Sequence, residues 1–340
     1  MRQIIDNLAR QVRAAGINRV RGEVVVDPRL FQPYTGFERT RRLATSIMLR
    51  WRSPSVDTPH IEHDRRLTVR SGGGEVAVTE FLSRDGIRLA YETAGSGAPG
   101  MAFVHGWLCD RSYFDPQFDH FAGQHAVATV DLRGHGESGR PRAQPGSYDV
   151  DVLAEDVLAV VAAAGLTSPL VAGHSLGALI ALACAARSSA ICAVVMVDPA
   201  PITNESAKAF FRSSVDAVDS DEDGSWRRAF VERMFLPTDV VRRSAIIENM
   251  AQVPSRIAGA AMLAMAEFDA AAVLGEVGVP VLSIGSAVPI NSPADLRTAY
   301  PTITIGQTVG AGHFNQLEVP EQVNAMIERF MVVNGLAPDA

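Results

Sequence analysis

The sequence predicts an α/β protein with a mostly parallel central sheet and helices on both of its faces. Three observations carry that prediction. From Val76 onward, short apolar runs of strand length alternate with runs of helical periodicity, the pattern of a parallel sheet buried on both sides. The apolar run 170–172 meets Gly173-His174-Ser175-Leu176-Gly177, and an apolar helical run, 178–186, follows at once; this reads as strand, sharp turn, helix. A final segment, 321–332, closes the chain as a helix.

Residues 1–75 differ in pattern and are expected to form an N-terminal appendage with a linker. Ile4, Ile5, Leu8 and Val12 recur at helical spacing, Gly16 ends that helix, and residues 22–27 read as a strand. Arginines alternate with apolar residues over 37–52, and 53–70 is polar and prolyl, as a linker would be. Residues 7–33, with Leu8-Ala9-Arg10-Gln11-Val12-Arg13 and Gly22-Glu23-Val24-Val25-Val26-Asp27-Pro28, resemble a fragment of the D-alanyl-D-alanine carboxypeptidases of the penicillin-binding class. Those enzymes use a Ser-x-x-Lys nucleophile. The only lysine here, Lys208, has Glu205 three residues before it, so the motif is absent and the resemblance transfers no chemistry. A structural or homo-oligomerisation role is expected for the appendage.

The domain proper is expected over 76–201 and 269–340. Residues 76–82 and 87–93 alternate as a hairpin around Asp85-Gly86. Residues 101–104 form a short buried strand ending in His105-Gly106-Trp107, and 126–130 form another, followed by Asp131-Leu132-Arg133-Gly134-His135-Gly136-Glu137-Ser138. An amphipathic helix over 151–164 leads to the strand before Ser175. The strand 193–197 ends at Asp198-Pro199-Ala200-Pro201, and 280–284 and 302–309 complete the set. Between 202 and 268 no strand pattern occurs. That stretch reads as helices carrying Phe210, Phe211, Trp226, Phe230 and Phe235, and an insertion at this point lies over the strand ends as a helical cap above Ser175.

Composition narrows the function. With 340 residues, 20% charged side chains and a net charge of −7, nothing favours nucleic acid as a partner. Cys109, Cys184 and Cys192 show no metal-ligand spacing and no disulfide framework, so neither a metal nor a cofactor is expected. No run approaches the ~20 apolar residues that span a bilayer, and the N-terminus lacks a signal-peptide core. A cytoplasmic protein with no membrane association is expected.

His105-Gly106-Trp107, the 131–138 loop, the Gly173–Gly177 pentapeptide and Gly310-Ala311-Gly312-His313-Phe314 occur in the order of the α/β-hydrolase superfamily, and residues 76–335 resemble it. The resemblance implies a nucleophile elbow. There Ser175 stands clear of the sheet, and side chains at 173 and 177 would collide with neighbouring backbone. A serine hydroxyl is a weak nucleophile at neutral pH and needs a base and an acid. His313, in a glycine-rich turn after the last strand, suits the base. His174 is expected to point elsewhere, and His105 to fix its own loop. Resemblance and geometry both nominate the backbone N–H groups of Trp107 and Leu176 as the oxyanion hole, with the Trp107 indole lining the acyl pocket. In many relatives the acid follows the strand that here is 280–284, but Gly285-Ser286-Ala287-Val288-Pro289-Ile290-Asn291 holds no carboxylate. Other relatives place it where Asp198 stands. Asp198 is therefore the first choice, Asp295 the second and Asp269 the third.

Haloalkane dehalogenases and epoxide hydrolases of this superfamily carry aspartate at the elbow, so Ser175 argues against both. The expected function is hydrolysis of carboxylic esters of small to medium hydrophobic acyl groups through an acyl-enzyme. Carbon–carbon bond hydrolysis, lactone or thioester hydrolysis and cofactor-free haloperoxidase activity are the alternatives within the fold. A catalytically silent binding or scaffold module is the alternative outside enzymes.

Overall fold

The structure is a computed structural model that describes residues 25–26, 45–50, 64–69 and 76–337. The expected N-terminal helix lies outside the described residues, as does the carboxypeptidase-like segment 7–33 apart from Val25–Val26. Eleven described strands form one sheet: β1 (Val25–Val26), β2 (Thr45–Arg50), β3 (Asp64–Val69), β4 (Val76–Arg84), β5 (Ile87–Ala94), β6 (Met101–Val104), β7 (Val127–Val130), β8 (Leu170–His174), β9 (Ala193–Val197), β10 (Val281–Gly285) and β11 (Thr304–Gln307). Their spatial order is β1-β2-β3-β4-β5-β7-β6-β8-β9-β10-β11.

The sheet has two characters. From β7 to β11 every pairing is parallel, which fits the crossover helices between those strands. From β1 to β5, and on to β7, every pairing is antiparallel. Asp85 (φ 53°) and Gly86 (φ 75°) make the β4–β5 turn with both central residues left-handed, as the Asp-Gly dipeptide predicts. Strand β3 falls inside the stretch expected to be linker and pairs with β4 from Arg66↔Thr79 to Val69↔Val76. Its charge density hides it from a hydropathy reading, whereas the open backbone edge of β4 is what it satisfies.

The helices are α1 (Asp115–Phe121), α2 (Val150–Ala163), α3 (Leu176–Arg187), α4 (Glu205–Asp219), α5 (Ser225–Glu232), α6 (Arg243–Ala251), α7 (Ser255–Glu267), α8 (Ala270–Glu276), α9 (Pro293–Ala299), α10 (Asn315–Glu318) and α11 (Pro320–Val333). Alternate residues of single strands enter opposite cores. Ala102, Val104, Val171, Val194 and Met196 pack with α2 and α3, whereas Met101, Phe103, Leu170, Ala172 and Val195 pack with Phe118 of α1 and Ile327 and Phe330 of α11. Double-sided burial is why these strands are unbroken apolar runs. Each large side chain so buried contributes roughly 1.5–3 kcal/mol. Five helices, α4 to α8, lie between β9 and β10; four of them, α4 to α7, fall in the stretch 202–268, which contains no strand.

Candidate active site

Ser175 sits between β8 and α3 with φ 54° and ψ −115°, a left-handed backbone costly for a residue with a side chain. Two glycines permit the turn. A Cβ at Gly173 would stand 1.9 Å from the Gly177 carbonyl oxygen, and one at Gly177 would stand 2.1 Å from that of Val104. Helix α3 is buried from Leu176 to Cys184, so the elbow is clamped between sheet and helix. Leu176 opens the helix, where its N–H has no carbonyl one turn back to bond. The His105-Gly106-Trp107 loop passes directly beside Ser175: a Cβ on Gly106 would lie 3.1 Å from the Ser175 Cβ.

Leu132 N–H donates to His105 Nε2 (3.0 Å), so the ring proton resides on Nδ1, which donates to the Gly106 carbonyl (2.8 Å). Burial pushes His105 down to about 4. The ring is thus a neutral brace joining two loops. The Trp107 indole, expected to line an acyl pocket, donates to the Ala258 carbonyl of α7 (2.8 Å) and meets Phe230 of α5 edge-on at 5.7 Å.

The structure joins His313 and Asp198 directly. Nδ1 of His313 lies 2.6 Å from Oδ2 of Asp198. The other carboxylate oxygen accepts the Ser286 N–H at 2.9 Å. Ser286, in the carboxylate-free loop after β10, supplies a backbone donor to an acid from the neighbouring strand end. Asp198 also has positive φ (37°), a region aspartate tolerates better than most residues. Of the other carboxylates considered, Asp295 is exposed in the first turn of α9, and Asp269 caps α8 by accepting from Ala272 N–H (3.1 Å). Neither is brought to His313.

Several contributors leave no mark in the sequence. Buried Asn291 uses its whole amide on the segment after Asp198. It donates to Pro199 O (2.9 Å) and Ala200 O (3.0 Å) and accepts from the N–H groups of Ile202 (2.7 Å) and Thr203 (3.4 Å). His174 faces away from the serine's own turn: its Nε2 lies 2.8 Å from the His313 carbonyl and its ring 4.6 Å from the His313 ring. Burial, with the His313 imidazole beside it, holds His174 well below the usual histidine range, so it donates as a neutral ring. Among the described residues no group of three His, Cys, Asp or Glu side chains is arranged to hold a metal ion, and no single helix is long and apolar enough to cross a membrane.

A serine at a strained strand-to-helix turn, a histidine joined to a buried aspartate and a glycine loop against the serine define a hydrolase-type centre on a parallel sheet. The chain belongs to the alpha/beta hydrolase family, which it matches over residues 101–326. Among curated relatives, it is 29% identical over 166 residues to ethanol acetyltransferase 1 of Cyberlindnera fabianii, spanning 45% of this chain and 48% of that protein. It is 25% identical over 270 residues to 3-oxoadipate enol-lactonase 1 of Acinetobacter baylyi, spanning 76% of this chain and 98% of the lactonase. Among solved structures, a thermophilic esterase from Thermogutta terrifontis superposes with a TM-score of 0.63 at 25% identity, over 76% of this chain and 98% of the esterase.

Proposed function

We propose that this protein is a serine esterase that cleaves carboxylic esters of small to medium hydrophobic acyl groups. The observation that carries the reading is the His313–Asp198 pair, with Nδ1 and Oδ2 at 2.6 Å, on the loops beside the strained Ser175. With its Nδ1 proton held by Asp198, His313 keeps a lone pair on Nε2. That nitrogen takes the Ser175 proton as Oγ attacks the ester carbonyl. The N–H groups of Trp107 and Leu176 receive the oxyanion, and removal of one such donor costs about 2.7–4 kcal/mol of transition-state stabilisation in comparable sites. His313 then protonates the departing alcohol, and water repeats the sequence on the acyl-enzyme.

The helices α4 to α7 serve as a cap in this reading. Ser175 is 8% exposed, and the aromatic stack of Trp226 on Phe230 at 5.0 Å reaches the Trp107 edge, which favours an apolar acyl group. The similarities to an esterase and an enol-lactonase support cleavage at an acyl carbon. The test is hydrolysis of p-nitrophenyl esters, acetyl to long acyl chains, by wild type and Ser175→Ala in parallel with fluorophosphonate labelling. Turnover and labelling are expected only with Ser175. Equal turnover by Ser175→Ala would overturn the assignment.

A further inference from the structure

The loop carrying His313 is held by the helical insertion as well as by the strand ends, where Ala287 N–H donates to Ala311 O (3.0 Å). After α5 the chain makes a tight turn in which Asp239 N–H donates to Leu236 O (3.0 Å) and Asp239 Oδ2 accepts Leu236 N–H (2.8 Å). The same Oδ2 accepts a second donor from outside the turn, the Gly312 N–H at 2.9 Å. The next residue, His313, donates its own N–H to the Met234 carbonyl at 2.9 Å. Phe235 lies on Phe314 with ring centroids 5.0 Å apart, and Arg242 Nη1 donates to Leu317 O at 2.9 Å. Asp239 is 3% exposed. A buried carboxylate holding a backbone N–H beside the base is a stronger tether than a neutral acceptor. The fit is close: a Cβ on Gly312 would stand 2.7 Å from Asp239 Oδ2 and 2.5 Å from Met234 O.

From this geometry we infer that Asp239 is a positioning residue for the base. It fixes the backbone at 312–313 so that the His313 ring, tied to Asp198 on one side, presents Nε2 to Ser175 on the other. The inference rests on the esterase reading. It adds that the insertion is part of the catalytic frame: its 234–242 segment sets the base, and Ala258 anchors the Trp107 loop. A displacement of the base by about 1 Å is enough to cost on the order of 100-fold in rate.

The test is a kinetic set of wild type, Asp239→Ala, Asp239→Asn, Gly312→Ala, the Asp239→Ala/Gly312→Ala double variant and His313→Ala. Readouts are kcat and KM on a short p-nitrophenyl ester, and the far-downfield proton resonance of the His313 Nδ1–H. Asp239→Ala is expected to lower kcat roughly 10–100-fold with KM within a few-fold, and to shift or broaden that resonance. Asp239→Asn keeps one oxygen able to accept both N–H groups and should recover most of the rate. The Gly312→Ala methyl wedges the same contact apart, so the two losses should not add. A wild-type kcat in Asp239→Ala, or losses that add fully with Gly312→Ala, would overturn the inference, the latter because Asp239 would then act only within its own turn. Should Asp239→Ala fail to fold, a wild-type rate in Gly312→Ala overturns it instead. Full activity in His313→Ala would sink the esterase reading itself, a separate outcome.

Discussion

The two halves of the candidate site are built by different means. The elbow half, from β8 through Ser175 into α3, is local: five consecutive residues, two of them glycines whose missing side chains let three backbone segments touch. The base half is assembled from four distant segments. Asp198 meets His313 across 115 residues, Ser286 reaches Asp198 across 88, and Asp239 reaches Gly312 across 73. The contrast teaches that a strained turn is specified by which side chains are absent. A placed imidazole, by comparison, is specified by hydrogen bonds from chain that is nowhere near it in sequence.

The comparison can be broken most sharply at Asp198. Asparagine tolerates the left-handed backbone there, so Asp198→Asn should fold normally while losing the carboxylate that fixes the His313 tautomer. The expected loss in kcat is about four orders of magnitude. A rate near wild type, measured on the same ester, would remove Asp198 from the mechanism.

Three buried neutral histidines stand at or just beyond the ends of β6, β7 and β8. Burial lowers His105 to about 4 and His135 to about 3, and His174 falls well below the usual value. In the unfolded chain each titrates near ~6.5. Their contribution to stability is therefore complete above about pH 6.5 and is lost as pH falls towards 4, because the unfolded chain binds the protons first. Each should contribute about 1 kcal/mol per pH unit in that window. Urea unfolding at pH 7.5, 6.0 and 5.0 should show a steep fall. Stability that stays flat across it would mean that the rings are solvated.

The local half is best tested at Gly177. A methyl there would stand 2.1 Å from the Val104 carbonyl, so Gly177→Ala should destabilise by about 1–3 kcal/mol or more and abolish serine labelling. An unchanged melting temperature would show that the elbow yields more easily than its contacts imply. The smallest effect on stability is expected at Ser175 itself. Ser175→Gly relieves the positive φ and should raise stability by about 1 kcal/mol while eliminating turnover, whereas Ser175→Ala should leave stability nearly unchanged.

How much was legible follows the same division. The strands at Met101–Val104 and Ala193–Val197 stand at the positions that the apolar runs mark, and so does the strand, turn and helix around Ser175. Their signals are local periodicity and glycine. Strand β3 was missed because a strand on the antiparallel side is held by backbone pairing, and its charged residues mimic a linker. The bond of Ser286 to Asp198, the four-fold grip of Asn291 and the tether from Asp239 were invisible for another reason. Each depends on which loops the sheet order brings together, and no run of neighbouring residues encodes that.

Trp107 turns one of these contacts into an optical signal. Its indole is buried, hydrogen-bonded to Ala258 and set against Phe230, so it emits from a dry site on the join between the loop after β6 and the insertion. The chain has three tryptophans, and replacing Trp51 and Trp226 with phenylalanine leaves this one as the sole indole fluorophore. Parting of the insertion from the sheet would wet the indole and move its emission to longer wavelength. Any such parting can then be timed by stopped flow without an attached label.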